Sequence, residues 1–351
     1  MRWPQSERDG ACFAASPGGR RVAWVVRADR IGDRVPAHAR GQVHSVFARA
    51  CNIETPAGEL VTLLAHDLGN VPHGIRLAGP VAPFDSWLIP GQNAILENSA
   101  LCVPDAGVTV DVSSAAVWRG AVVAVSMDSC PMTPGGAAVA VALRELRETL
   151  IDCAPAQGFA PLLAAPARAR SSVDRACASR LSHTLPMLAR ANERHDVTAF
   201  ARAAARLVGL GPGLTPSGDD FIAGYLAALW SRAGYEGGID AILPSLGDAL
   251  APLFLRTNAI SRQMLSDAAH GRFAERLVDV TVAISCAGNV VEATRRALAS
   301  GHSSGADTLC GLLFGYAPHQ AVPSLPDYLP RHPLLRAAQF ELSPGRTAAL
   351  A

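Results

Sequence analysis

Residues 209–224 read Gly-Leu-Gly-Pro-Gly-Leu-Thr-Pro-Ser-Gly-Asp-Asp-Phe-Ile-Ala-Gly, and no other stretch constrains the chain as strongly. Proline restricts φ, while glycine reaches backbone conformations closed to other residues. A flexible linker needs no such mixture. The combination predicts a rigid loop that presents backbone N–H groups and hydroxyls, with a helix starting immediately behind it. Ser217-Gly218-Asp219-Asp220 has the form of a capping box, a serine followed three residues later by a carboxylate.

The same design returns at Ser304-Gly305-Ala306-Asp307. The alignment continues, with Ser-Gly-Asp-Asp-Phe-Ile-Ala-Gly-Tyr-Leu beside Ser-Gly-Ala-Asp-Thr-Leu-Cys-Gly-Leu-Leu. A helix N-terminus carries unpaired N–H groups and a partial positive charge, so two of them could clamp a ligand bearing carboxylate and phosphate. On this reading Gly211, Gly213, Thr215, Ser217, Gly218, Ser303, Ser304 and Asp307 bind the anion, and Asp219, Asp220 and His302 are the candidate catalytic residues. Asp219 and Asp220 are hard oxygen ligands that could hold Mg2+ on phosphate oxygens. The alternative is structural: capping boxes are common, and Gly224 and Gly311 could serve only to let two helices approach. The glycine-proline loop favours function, because a cap alone does not require it.

Thr257 and Ser261 lie four apart and share a helix face, joining the binding candidates. Arg256 and Arg262 beside them could supply guanidinium forks, although for the cluster taken alone an exposed polar face is the preferred reading. His66, Asp67, Asn70 and His73 form a weaker cluster earlier in the chain.

Composition removes several classes. The chain has no lysine, so all 31 basic residues are arginine. A Walker A phosphate loop and a pyridoxal-phosphate Schiff base both need that lysine. A net charge of +1 offers no basic surplus for nucleic acid. Eight scattered cysteines without a Cys-x-x-Cys pair read as reduced buried thiols, and ten histidines form no zinc pattern. No signal peptide and no run of about 18 apolar residues is found, which predicts a soluble, cytoplasmic protein without a membrane partner.

The architecture expected is α+β, a β-rich N-terminal domain (antiparallel sandwich or barrel) followed by a mainly α-helical one. Short apolar runs at 21–26, 42–51, 60–65, 86–89, 94–96, 100–103, 108–112 and 121–126 alternate with turn signals, and 69–90 reads as irregular. Residues 1–132 form the β-rich domain, 133–170 a helix and linker, and 171–351 the helical domain carrying the loop. Helices are expected at 172–190, 196–208, 218–234, 239–270 (broken by Pro244 and Pro252), 272–285, 289–300 and 305–316.

The loop at 209–221, Thr257 with Ser261, and Gly-His-Ser-Ser-Gly-Ala-Asp at 301–307 resemble the AllH-type family, over most of the chain and more loosely in the β-rich part. That resemblance implies a subunit of an oxamate carbamoyltransferase in ureide and purine-nitrogen breakdown. The enzyme converts oxalurate and phosphate to oxamate and carbamoyl phosphate. It also implies companion subunits, among them an FdrA-type protein resembling acyl-CoA synthetases. Two readings stand side by side: the chain binds the anionic substrate at the loop, or it is a non-catalytic scaffold for its partners. A stand-alone ATP- or phosphate-using enzyme is a third, opposed by the missing Walker lysine.

Overall fold

The computed structural model describes residues 13–14, 23–122, 136–164, 171–233, 239–286, 288–299 and 301–316. The chain divides into two units at Gly120/Ala121. The first is all β: β1 (Phe13–Ala14), β2 (Ala23–Gly32), β3 (Ala39–Val46), β4 (Ala50–Glu54), β5 (Leu60–Leu64), β6 (Gly74–Leu77), β7 (Asn93–Glu97), β8 (Ala100–Val103), β9 (Val108–Asp111) and β10 (Ala116–Trp118).

Strand order is β1-β2-β6-β5-β4-β3-β7-β8-β9, and β9 returns to pair with β2, so the sheet closes into a barrel. Closure leaves no long open edge. Of the two architectures expected, the barrel is the one formed, mostly antiparallel but with parallel pairings at β2–β9, β5–β6 and β2–β10. Inward residues such as Val26, Val43, Ile53, Leu63, Ile75, Leu77, Leu101 and Val110 form the core with Phe84.

Differences from the expected strands have local causes. The apolar run at 42–51 contains a hairpin turn between β3 and β4 that no glycine or proline marks. Phe84–Ser86 is a 3-10 turn whose Phe84 plugs the core, so 86–89 is not a strand. β6, short and within the stretch read as irregular, pairs with both β2 and β5. Of the run at 121–126, only Ala121 and Val122 fall within the described residues.

The second unit is helical: α1 (Gly136–Cys153), α2 (Pro161–Ala164), α3 (Ser172–Glu193), α4 (Val197–Ala204), α5 (Ser217–Ala233), α6 (Ile239–Leu250), α7 (Ala259–Ala269), α8 (Glu275–Ser285), α9 (Val290–Leu298) and α10 (Ser304–Tyr316). Pro244 is accommodated inside α6, and the break falls at the 3-10 segment 251–256, where Pro252 takes an early position and loses no hydrogen bond. Among the described residues no helix is long and apolar enough to cross a membrane.

α5 is apolar on almost every side because it is enclosed, by α6, α7, α8 and α10. Its contact with α10 is the most extensive between helices. The two touch through glycine: a Cβ built at Gly224 would fall on the carbonyl oxygen of Thr308, and one at Gly311 on that of Phe221. Ser217 lies beside Asp307, Phe221 against Gly311, and Tyr225 against Gly315. Residue numbers rise together along both helices, so they run parallel and start at the same end. Phe221, Tyr225 and Phe314 fill the space below the crossing, with ring centroids 6.0–6.4 Å apart.

The two copies are therefore related by a local pseudo-two-fold axis along the pair. Gly218 abuts the Leu207 carbonyl just beyond α4, and Gly305 abuts the Ala297 carbonyl near the end of α9. Replacing an ordinary mid-helix glycine by alanine favours the helix by about 1 kcal/mol. Here Gly224→Ala and Gly311→Ala are each expected to lose about 1–3 kcal/mol by overpacking. Urea denaturation reads the sign, and a neutral or stabilising result would contradict this packing.

Candidate functional site

The parallel pairing brings both Ser-Gly helix starts to one place. Asp219, Asp220 and Asp307 each have 0% exposure there. Serines and aspartates are exchanged between the copies. Neither Ser217 nor Ser304 closes a capping box within its own helix; the Ser304 hydroxyl lies beside Asp220 and that of Ser217 beside Asp307. The half-buried residues Gly211, Thr215, Ser303 and Ser304 form the outer edge, with Gly213 and His302 exposed beyond them.

The adjacent carboxylates of α5 do different work. Asp219 Oδ1 accepts from the backbone N–H of Gly209 at 2.7 Å, and Oδ2 from the Thr257 hydroxyl at 2.5 Å. Burial raises its pKa, while Thr257, Gly209 and Ser261 pull it back. Asp219 thus ties the first residue of the glycine-proline loop to the segment before α7. Asn258 completes the tie: its Oδ1 caps α7 at the N–H groups of Ile260 and Ser261, and its amide donates to the Leu214 carbonyl at 2.8 Å. The loop is held at both ends by one short segment.

Asp220 has no such support. Neither of its carboxylate oxygens has a hydrogen bond of normal geometry. Burial pushes its pKa well above the usual carboxylate range; the Asp307 and Asp219 carboxylates add to the rise, and the Ser304 and Thr215 hydroxyls oppose it. Asp307 is raised to about 6, first by burial, against the Phe159 N–H and the hydroxyls of Ser217 and Ser303. Its Oδ1 accepts from Phe159 N–H at 2.6 Å, and its Oδ2 is unpartnered.

Phe159 and Gly158 are the contributors that sequence reasoning missed. They lie between α1 and α3, in the stretch read as helix and linker. Gly158 has φ +71°, and any side chain there would run into the Asp307 carboxylate. Phe159 then stacks edge-on against Phe221 at 5.9 Å. A glycine before an aromatic was the only trace in the sequence.

Several expected partners lie elsewhere in function. Arg256 donates to the Ala205 carbonyl at 2.8 Å, fastening the end of α4. In the β unit, Asn70 and His73 are buried while His66 and Asp67 are exposed. Among the described residues no group of three or more His, Cys, Asp and Glu forms a ready metal cage.

Chemically, this is a pair of helix N-termini aimed the same way, rimmed with hydroxyls and backed by buried carboxylates. Such an end attracts anions chiefly through the helix dipole, since in α5 the N–H groups of Gly218, Asp219 and Asp220 already donate to the Leu210 and Pro216 carbonyls. The fold and site define a class: a barrel unit followed in sequence by a helical unit built on two parallel, glycine-packed Ser-Gly helix starts. The family model described as oxamate carbamoyltransferase subunit AllH matches residues 207–316, and that described as AllH family N-terminal domain matches 23–117. The chain belongs to the AllH family. No solved structure matches it.

The neighbouring carboxylates should respond oppositely to substitution. Asp219→Ala leaves Gly209 N–H and Thr257 without their acceptor and is expected to lose about 1–3 kcal/mol. Asp220→Asn removes a buried carboxyl whose charged form burial disfavours, so in metal-free buffer at pH 7 it should raise the melting temperature. Equal destabilisation by both would contradict the assignment.

A pH dependence follows from Asp307, whose folded pKa is raised from 3.8 to about 6. The folded state binds the proton more tightly, so this group's contribution is full below about 4 and is lost as pH rises through about 6. In a pH series of urea denaturations, Asp307→Asn should remove that component.

Proposed function

We propose that the chain serves as a subunit of an oxamate carbamoyltransferase and binds the small anionic substrate at the paired helix starts. The observation that carries this reading is the convergence of two parallel helix N-termini with Thr215, Ser303 and Ser304 at their outer edge. The reaction in this proposal is the one that the family resemblance implies: oxalurate and phosphate to oxamate and carbamoyl phosphate. All four are small anions, and carbamoyl transfer passes through a tetrahedral centre carrying extra negative charge. Preorganised N–H donors stabilise such a centre more than the ground state.

In this proposal the hydroxyls of Thr215, Ser303 and Ser304 orient the anion, with Ser217 behind them, and exposed His302 exchanges protons with the leaving group. Gly211 and Gly213 shape the loop, Gly218 seats the helix start, and Asp219 with Thr257 and Ser261 fixes the loop's position. Asp220 and Asp307 set the charge beneath. FdrA-type and other companion subunits complete the enzyme.

A scaffold role is favoured by a separate observation. Leu214 on the loop is 55% exposed and Leu255, in the 251–256 segment, is 74% exposed, two apolar side chains suited to a subunit contact. Calorimetry separates the readings. With the isolated chain, carbamoyl phosphate or oxamate should bind, and Ser304→Ala with Thr215→Ala should weaken binding about 10–100-fold, the worth of lost hydrogen bonds to a charged group. No binding by the chain alone, with full activity of both variants in the reconstituted enzyme, would favour the scaffold.

A further inference from the structure

We infer that Asp220 and Asp307 together hold one hard divalent cation, of the Mg2+ or Mn2+ class, beneath the paired helix starts. The first ground is a missing partner. Three carboxylate oxygens, Asp220 Oδ1, Asp220 Oδ2 and Asp307 Oδ2, are buried without a hydrogen bond of normal geometry. Buried polar atoms are nearly always satisfied, and ionised ones left alone are far more costly. Every basic residue of the chain is arginine, yet among the described residues none pairs with either carboxylate.

The second ground is a count of what could satisfy them. One proton shared between the carboxyls joins one oxygen of each and leaves the third to the neighbouring hydroxyls alone. A cation between the two carboxylates can take all three. The neighbouring donors suit it: hydroxyls of Ser304 and Thr215 beside Asp220, and of Ser217 and Ser303 beside Asp307. This is an all-oxygen set, the chemistry that selects Mg2+ or Mn2+ over softer metals. Asp219 is not part of it, since both its oxygens are engaged by Gly209 and Thr257.

Charge gives the third ground. Each helix N-terminus contributes roughly half a positive charge, so two together offset about one of the pair's two negative charges. With Asp219 in the same first turn counted as well, a divalent cation brings this end from about −2 to about neutral, which removes the repulsion an anion at Thr215, Ser303 and Ser304 would meet. Only this consequence rests on the proposed anion site; the metal site itself does not.

The test uses the full-length chain stripped with a chelator. Titration with MnCl2, followed by calorimetry and by the electron paramagnetic resonance signal of free Mn2+, should give one saturable site per chain, with Mg2+ competing. Binding should fall at least tenfold in Asp220→Asn and Asp307→Asn and stay within about twofold in Asp219→Asn. Circular dichroism melts of all three report whether each is folded. No saturable Mn2+ binding, or binding unaltered in Asp307→Asn, would overturn the proposal. So would an infrared carboxylic-acid band, lost in Asp307→Asn, that persists at saturating Mn2+, because the pair then carries a proton only. Inorganic phosphate is titrated separately with and without Mn2+. Metal binding without phosphate binding sinks the anion site and leaves the cation site standing; phosphate binding without metal binding does the reverse.

Discussion

Everything in the helical unit depends on two helices touching backbone to backbone. Gly224 against the Thr308 carbonyl and Gly311 against that of Phe221 allow an approach that any side chain would prevent. Because the contact is reciprocal and the helices are parallel, their starts must coincide. That arrangement is unfavourable on its own, since it places two positive dipole ends together. Asp219, Asp220 and Asp307, all in the first turns, offset it.

The carboxylates divide the labour. Asp219 is satisfied and holds the loop in place through Gly209 and Thr257, while Asn258 fastens its far end at Leu214. Asp220 and Asp307 are left with unpartnered oxygens inside the protein. A fold that keeps such a pair accepts lower stability at the point where charge is concentrated. That is the pattern expected where stability has been traded for a binding site.

Much of this was legible in the sequence, for identifiable reasons. Alternating apolar runs and the turn signals between them revealed the β unit, and helical periodicity revealed most of α3 to α10. The matching Ser-Gly helix starts were visible because both copies kept serine, aspartate and glycine at the same spacing. What escaped was long-range. Sequence spacing suggested that Ser217 would cap its own helix, whereas parallel pairing hands it to Asp307. Gly158 and Phe159 reach Asp307 from far along the chain and carry no pattern that announces the contact. β6 was hidden because four residues of strand within a glycine- and proline-rich stretch show too little alternation. Pro244 suggested a break, but α6 continues through it.

The central claim is that the two helix starts act as one anion site. A crystal structure of the chain grown with oxamate or carbamoyl phosphate tests it most directly. The account predicts the anion between α5 and α10, within hydrogen-bond reach of the Ser303 or Ser304 hydroxyl and of Thr215. An anion bound elsewhere on the chain, with that place empty at saturating ligand, would contradict it.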